Sequence, residues 1–199
     1  MTGAGAGSVL AIDTAARRRL VVLRAGRGGE LVAARTGDGG AALPWLDRAL
    51  GELGVSGLEA VVVVTGPGSY TGLRAGMAVG LGLVHALGIR LHGVSSLEVT
   101  AWGAPDGEAE TLALVEAGRG GAYAGRFARQ GGRLELIGEP RRISLAGLAA
   151  GHPPPVSLDA LDLPGVRWGD PVRALAAAIP TALERAPLPL AGLTAIYLD

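Results

Sequence analysis

The 199-residue chain has no cysteine, no lysine and no asparagine, and only three tryptophans, three tyrosines and one phenylalanine. Without cysteine there are no disulfides, no thiolate nucleophile and no cysteine-ligated metal. Without lysine, arginine carries the basic charge and a P-loop cannot be built. Basic and acidic residues balance at 18 each, so no strong net field draws in nucleic acid or a membrane surface by itself. Long apolar runs are also lacking. The longest uncharged helical stretch, between Arg74 and Arg90, is about fifteen residues and contains His85, against roughly 20 needed to span a bilayer. Residues 1–7 show neither a basic region nor an apolar core, so no secretory signal is expected. The expectation is a cytoplasmic protein with no membrane segment, a disordered tail over 1–7, and one large domain or two small ones. Abundant Gly, Ala, Arg and Pro fit a GC-rich coding sequence and carry little weight alone.

What is present centres on residues 61–74. Four valines, Val61 to Val64, suit a strand covered on both faces. Gly66-Pro67-Gly68 stops that strand, and Ser69 or Thr71 can cap the helix that follows from Tyr70 to Leu87. In that helix Gly72, Gly76 and Gly80 recur every fourth residue, and Gly82 adds a fourth. Each interior glycine costs about 1 kcal/mol relative to alanine, so close packing must offset the loss. Two readings fit: a partner helix from another chain against the exposed backbone, or a central helix enclosed in its own α/β domain.

In chain order, residues 9–13, 17–24 and 30–35 read as an antiparallel meander, and residues 43–53 as an amphipathic helix. The valine strand and glycine-lined helix follow, then a strand at 91–94 and a helix from Ser95 to Trp102, with Ser95 and Glu98 at capping-box spacing. This is a ribonuclease-H-like order. Gly103 to Gly107 is the best boundary, giving a lobe over 8–103 and a smaller one over 108–199. In the second, strands are expected at 111–116, 121–129 and 134–137, with helices at 144–150 and 171–179. Asp170 caps the last helix, with Pro171 at its first position.

Candidate chemistry is sparse. Asp13-Thr14 ends the first strand, where Asp13 reads first as a turn cap. Gly66, Gly68 and Ser69 form a strand-to-helix turn that could hold an anion on helix N–H groups, though the first reading is a structural tight turn, which needs Gly and Pro anyway. His85, His92 and His152 show no metal-ligand spacing. Arg17-Arg18-Arg19 and Arg141-Arg142 read as solvated edges with at most a weak phosphate contact. No metal, no cofactor and no catalytic residue is expected.

Gly66-Pro67-Gly68-Ser69-Tyr70-Thr71-Gly72-Leu73-Arg74-Ala75-Gly76 resembles the signature of the TsaB (YeaZ) family, relatives of the TsaD/Kae1 proteins. Ala11-Ile12-Asp13-Thr14, Gly93-Val94-Ser95-Ser96-Leu97-Glu98 and Tyr197-Leu198 add to the resemblance. It implies an actin-like ATPase (ASKHA) α/β fold in two lobes, the second reduced. It further implies a non-catalytic subunit supporting TsaD in transfer of threonylcarbamoyl to N6 of the adenosine beside the anticodon, in tRNAs reading ANN codons. TsaE is then a further partner, tRNA is contacted only indirectly, and a homodimer can form in isolation. The implied docking residues are Leu43, Leu46, Leu50, Gly72, Leu73, Gly76, Met77, Gly80 and Leu83. The alternative is an active ASKHA-type ATPase or kinase, or a glycoprotease-like hydrolase. That alternative calls for a glycine-bearing phosphate hairpin, where this chain has Ala15-Ala16-Arg17.

Overall fold

A computed structural model describes residues 7–148, 153–191, 194–196 and 198. Two five-stranded sheets organise them. The first contains β1 (Ser8–Asp13), β2 (Leu20–Ala25), β3 (Leu31–Gly37), β4 (Leu58–Val64) and β5 (Arg90–Val94), in the order β3-β2-β1-β4-β5. β1 to β3 form an antiparallel meander, while β4 runs parallel to both β1 and β5. The valine strand is therefore flanked on both sides by parallel neighbours, and Val61 to Val64 are all buried.

Helices cover that sheet on both sides. α1 (Ala42–Leu53) packs on β2 and β3, and α2 (Tyr70–Leu87) on β1, β4 and β5. Successive strand residues face opposite ways. Leu91 touches Gly80 of α2, whereas the next residue, His92, lies against Ala182 of α4 (Pro171–Glu184). Thus α4, from the C-terminal half, closes the far side of the first sheet.

The second sheet contains β6 (Glu110–Gly118), β7 (Gly121–Gln130), β8 (Arg133–Ser144), β9 (Pro155–Ser157) and β10 (Arg167–Trp168), ordered β10-β9-β6-β7-β8. α3 (Ser96–Trp102) packs on it through Leu97 and Ala101, against Ala113, Val115 and Phe127. The other face is covered by Leu161 and Leu163, from the segment joining β9 to β10. The sheets draw on separate stretches of chain, but α3 and α4 are exchanged between them.

Several boundaries differ from expectation. β2 starts at Leu20, because Arg17 and Arg18 lie in an exposed bend while Arg19 turns inward. β8 extends well past 134–137, pairing with β7 as far as Ser144 opposite Gly121. The helix expected over 144–150 is a 3-10 turn at Leu145–Gly147, and residues 149–150 lie outside the described ones. So do residues 1–6 of the expected tail, His152, Tyr197 and Asp199. α4 continues through Pro180, which has no N–H for the Ala176 carbonyl. Gly29, at φ +85°, packs on that carbonyl instead, where an added Cβ would lie 2.5 Å from the oxygen. Ser95 caps α3 by accepting from the Leu97 N–H at 3.2 Å. Glu98, however, closes no capping box: both its oxygens pair with Arg185 just beyond α4, at 2.8 and 2.9 Å.

Candidate functional site

The turn between β4 and α2 is held by the chain's own groups. Ser69 accepts from the Gly72 N–H at 3.4 Å, and its own N–H donates to the Ala15 carbonyl at 2.7 Å. Ser96 N–H donates to the Gly66 carbonyl at 2.9 Å, and Ser96 Oγ donates to the Pro67 carbonyl. Gly66, at φ +109°, admits the C-terminal segment: Ile196 N–H donates to the Thr65 carbonyl at 2.7 Å. These contacts favour the tight-turn reading of Gly66, Gly68 and Ser69.

The glycine line of α2 faces inward. A Cβ at Gly72 would lie 2.0 Å from the Thr14 carbonyl oxygen, one at Gly76 2.3 Å from Thr14 Oγ1, and one at Gly80 2.5 Å from Val63 Cγ1. Thr14 Oγ1 donates to the Gly72 carbonyl at 2.7 Å, drawing β1 and α2 together. This corrects the expectation that Gly72, Gly76 and Gly80 meet a partner chain: their missing side chains make room for the chain's own sheet. Leu73 and Leu46 are fully buried and Met77 nearly so, and Leu50 and Leu83 pack on the same core. Among the expected docking leucines, Leu43 alone is largely open, at 56 % exposure.

The outward face of α2 carries a different set. Thr71, Ala78, Gly82 and Ala86 are exposed and Ala75 is half-exposed, at three- and four-residue spacing. Nothing lies within 4 Å of where a Gly82 Cβ would be. Between this face and the start of α1 lies a mostly apolar cavity of 570 Å³, walled by Leu43, Pro44, Thr71, Ala75 and Ala78. Arg74, on its rim, donates to Tyr70 Oη at 2.6 Å.

The cleft between the sheets holds an ion triad. Asp13, buried at the end of β1, accepts from the Ala15 N–H at 2.9 Å and from Arg19 at 2.8 Å. Arg19 also reaches Asp159, beyond β9, at 3.3 Å. Burial raises the Asp159 carboxyl above its ordinary range, against the pull of Arg19. Burial works to lower the Arg19 pKa, yet Asp13 and Asp159 together hold it above its usual value. The carboxylate after the first strand is therefore already neutralised by a guanidinium. Sequence reading assigned Arg19 to a solvated run; its second partner stands 140 residues away, so nothing local revealed its burial. Among the described residues, no group of three or more His, Asp or Glu is placed to hold a metal ion. No described helix is long and apolar enough to cross a membrane.

Residues 40–196 match the family described as TsaD: tRNA N6-adenosine threonylcarbamoyltransferase. The chain belongs to this family, in its TsaB (YeaZ) branch. An uncharacterized protein of Mycobacterium leprae is 37% identical over 146 residues, 71% of this chain and 39% of the relative. The Bacillus subtilis tRNA threonylcarbamoyladenosine biosynthesis protein TsaB is 35% identical over 89 residues, 45% of this chain and 39% of the relative. These matches span about two fifths of the length of either curated relative. The solved YeaZ structure from Pseudomonas aeruginosa is 20% identical, with a TM-score of 0.71 over 96% of this chain and 100% of that one. The fold is accordingly the two-lobed ASKHA, or actin-like, α/β architecture of YeaZ.

Proposed function

We propose that the chain is a non-catalytic subunit that docks a TsaD-type enzyme and supports threonylcarbamoyl transfer to N6 of the adenosine beside the anticodon, in tRNAs reading ANN codons. Its setting is then the cytoplasm. The carrying observation is the outward face of α2, where Ala75, Ala78, Gly82 and Ala86 leave the helix backbone open to a second helix beside exposed Leu43. Small residues let two helix axes approach closely, and the cavity beside them can receive a bulky side chain of the partner. The Arg19 guanidinium between Asp13 and Asp159 supports the non-catalytic part, for it fills the acidic end of the cleft with the chain's own cation.

Co-purification with TsaD, followed by a calorimetric titration of the two subunits, tests this reading. A stoichiometric complex is expected, with threonylcarbamoyl transfer seen only when TsaD is present. Turnover of ATP by the isolated chain, or no capture of TsaD, overturns it. TsaE is proposed to join that pair. In isolation the same face closes a homodimer, which light scattering reads as dissociation when TsaD is added.

A further inference from the structure

Two open cavities carry Arg17 and Arg18 in their walls, with Arg142 and Arg119 at the adjoining Gly118 turn, and none of the four belongs to an ion pair among the described residues. Arg17 and Arg18 lie in the bend before β2, Arg119 in the β6–β7 turn and Arg142 on β8, and all four are exposed. Two of their forks meet at Gly118: Arg142 donates to its carbonyl at 3.2 Å, and Arg17 lies 3.2 Å from where its Cβ would be. Arg119 holds φ +53° between Gly118 and Gly120, a conformation glycine takes freely and arginine does not. An arginine kept there points to a use for its side chain.

One cavity, of 500 Å³, lies between Arg17, Tyr123 and the start of α2. The other, of 630 Å³, is lined by Arg18 and by Trp168, a residue 59% exposed. The two share Glu116, whose N–H donates to the Asp159 carboxylate. Glu116 lines both cavities and Asp38 and Asp159 line the larger, against Arg17, Arg18 and Arg19 in the walls and Arg119 and Arg142 at the adjoining turn.

The geometry points to a contact surface for single-stranded or loop RNA, with phosphates on the four arginines and an unstacked base on Trp168. Arginine forks match phosphate oxygens in pairs, and exposed aromatic faces stack the splayed bases of single strands. A mononucleotide suits the groove less well. Asp13, the buried carboxylate at the end of β1, is already paired with Arg19, and the other arginines lie along an open rim. The choice of tRNA as the RNA rests on the function proposed above, and a direct contact departs from the expectation that tRNA is met only indirectly; the arginine cluster stands on its own geometry.

The test is fluorescence anisotropy of the full chain with a labelled tRNA transcript that reads an ANN codon, with its anticodon stem–loop and with a duplex of equal length. Binding is measured between about 50 and 200 mM salt. The stem–loop is expected to bind more tightly than the duplex. Arg17→Gln with Arg142→Gln should weaken binding about tenfold at low salt and flatten the salt dependence by one to two phosphate contacts, roughly. Trp168→Ala should weaken stem–loop binding about fivefold and leave the salt slope unchanged. Arg141→Gln, on the opposite face of β8, should bind as the parent does. Melting temperatures confirm that each variant is folded, and Arg119→Gln serves if the double variant is not. No binding at about 100 μM protein, where even non-specific contacts register, overturns the proposal. So does binding indifferent to these arginines, and so does displacement by ATP that depends on them, which would assign the rim to a mononucleotide. TsaD capture is measured on the same preparations: if the parent chain fails it, the docking reading falls while the RNA result stands.

Discussion

The two faces of α2 are built from the same kinds of residue and do opposite things. Inward, Gly72, Gly76 and Gly80 bring the helix backbone against Thr14 and Val63, so that no atom can be added without moving β1 or β4. Outward, Ala78, Gly82 and Ala86 are exposed and Ala75 half-exposed, and at Gly82 the space is empty. Smallness inside is a condition of folding; smallness outside is a condition of something else coming close. One substitution type, placed in turn around the helix, separates the two.

The largest effect is expected at Gly72. A methyl group there would lie 2.0 Å from the backbone oxygen of Thr14, which cannot rotate away as a side chain could. Gly72→Ala should therefore cost at least about 3 kcal/mol, read as a lowered midpoint in urea, since overpacking against backbone costs 1–3 or more and the Thr14–Gly72 hydrogen bond is lost as well. A midpoint within error of the parent would show that the inward face is looser than its geometry implies.

On the outer face the expected loss is in docking. Ala78→Arg places a long cation where Ala78 is exposed beside Ala75 and the 570 Å³ cavity. Stability should stay within about 0.5 kcal/mol of the parent, as for most surface changes. Affinity for TsaD should fall about a hundredfold, near 2.7 kcal/mol, because the arginine holds the partner backbone away and must be desolvated. Full affinity would put the partner elsewhere on the chain.

Gly80→Ala falls between. Its Cβ would meet Val63 Cγ1 at 2.5 Å, a side chain rather than backbone, but a buried β-branched one with little rotamer freedom. The strain should exceed the roughly 1 kcal/mol of helix propensity gained, leaving a net loss of about 1–2 kcal/mol by thermal melting. A gain would mean that the sheet yields at Val63.

This contrast also marks how far the sequence could be read. The valine strand, the glycine turn and the extent of α2 follow from local chemistry, since β-branched runs, Gly-Pro-Gly and a serine cap act within a few residues. The family signature at Gly66 to Gly76 was equally visible, and with it the two-lobed fold. Which way the glycine line faces was not, because glycine carries no hydrophobicity for an amphipathic pattern to report. Its regular spacing fits close approach to a sheet as well as to a partner helix, and Thr14 decides the matter from 58 residues away. The same distance effect hid Arg19, and the exchange of α3 and α4 between sheets leaves no periodic signal at all. In the candidate site, Leu43 was legible as an apolar residue on α1, whereas the outward alanines looked like compositional background.

The smallest effect is the most discriminating, because its sign is in question. Gly82 is helical and exposed, with nothing within 4 Å of an added Cβ, so Gly82→Ala should stabilise the isolated chain by about 0.5–1 kcal/mol through reduced backbone entropy in the unfolded state. If a partner helix lies over this residue, the same methyl group stands between two backbones. Affinity for TsaD should then fall a few-fold while the melting temperature of the free chain rises. Stability and docking moving in opposite directions on one added carbon would separate a face kept small for a partner from one left small by composition. Were both to rise together, the outward alanines would be background after all, and only the inward glycines would be needed by the fold.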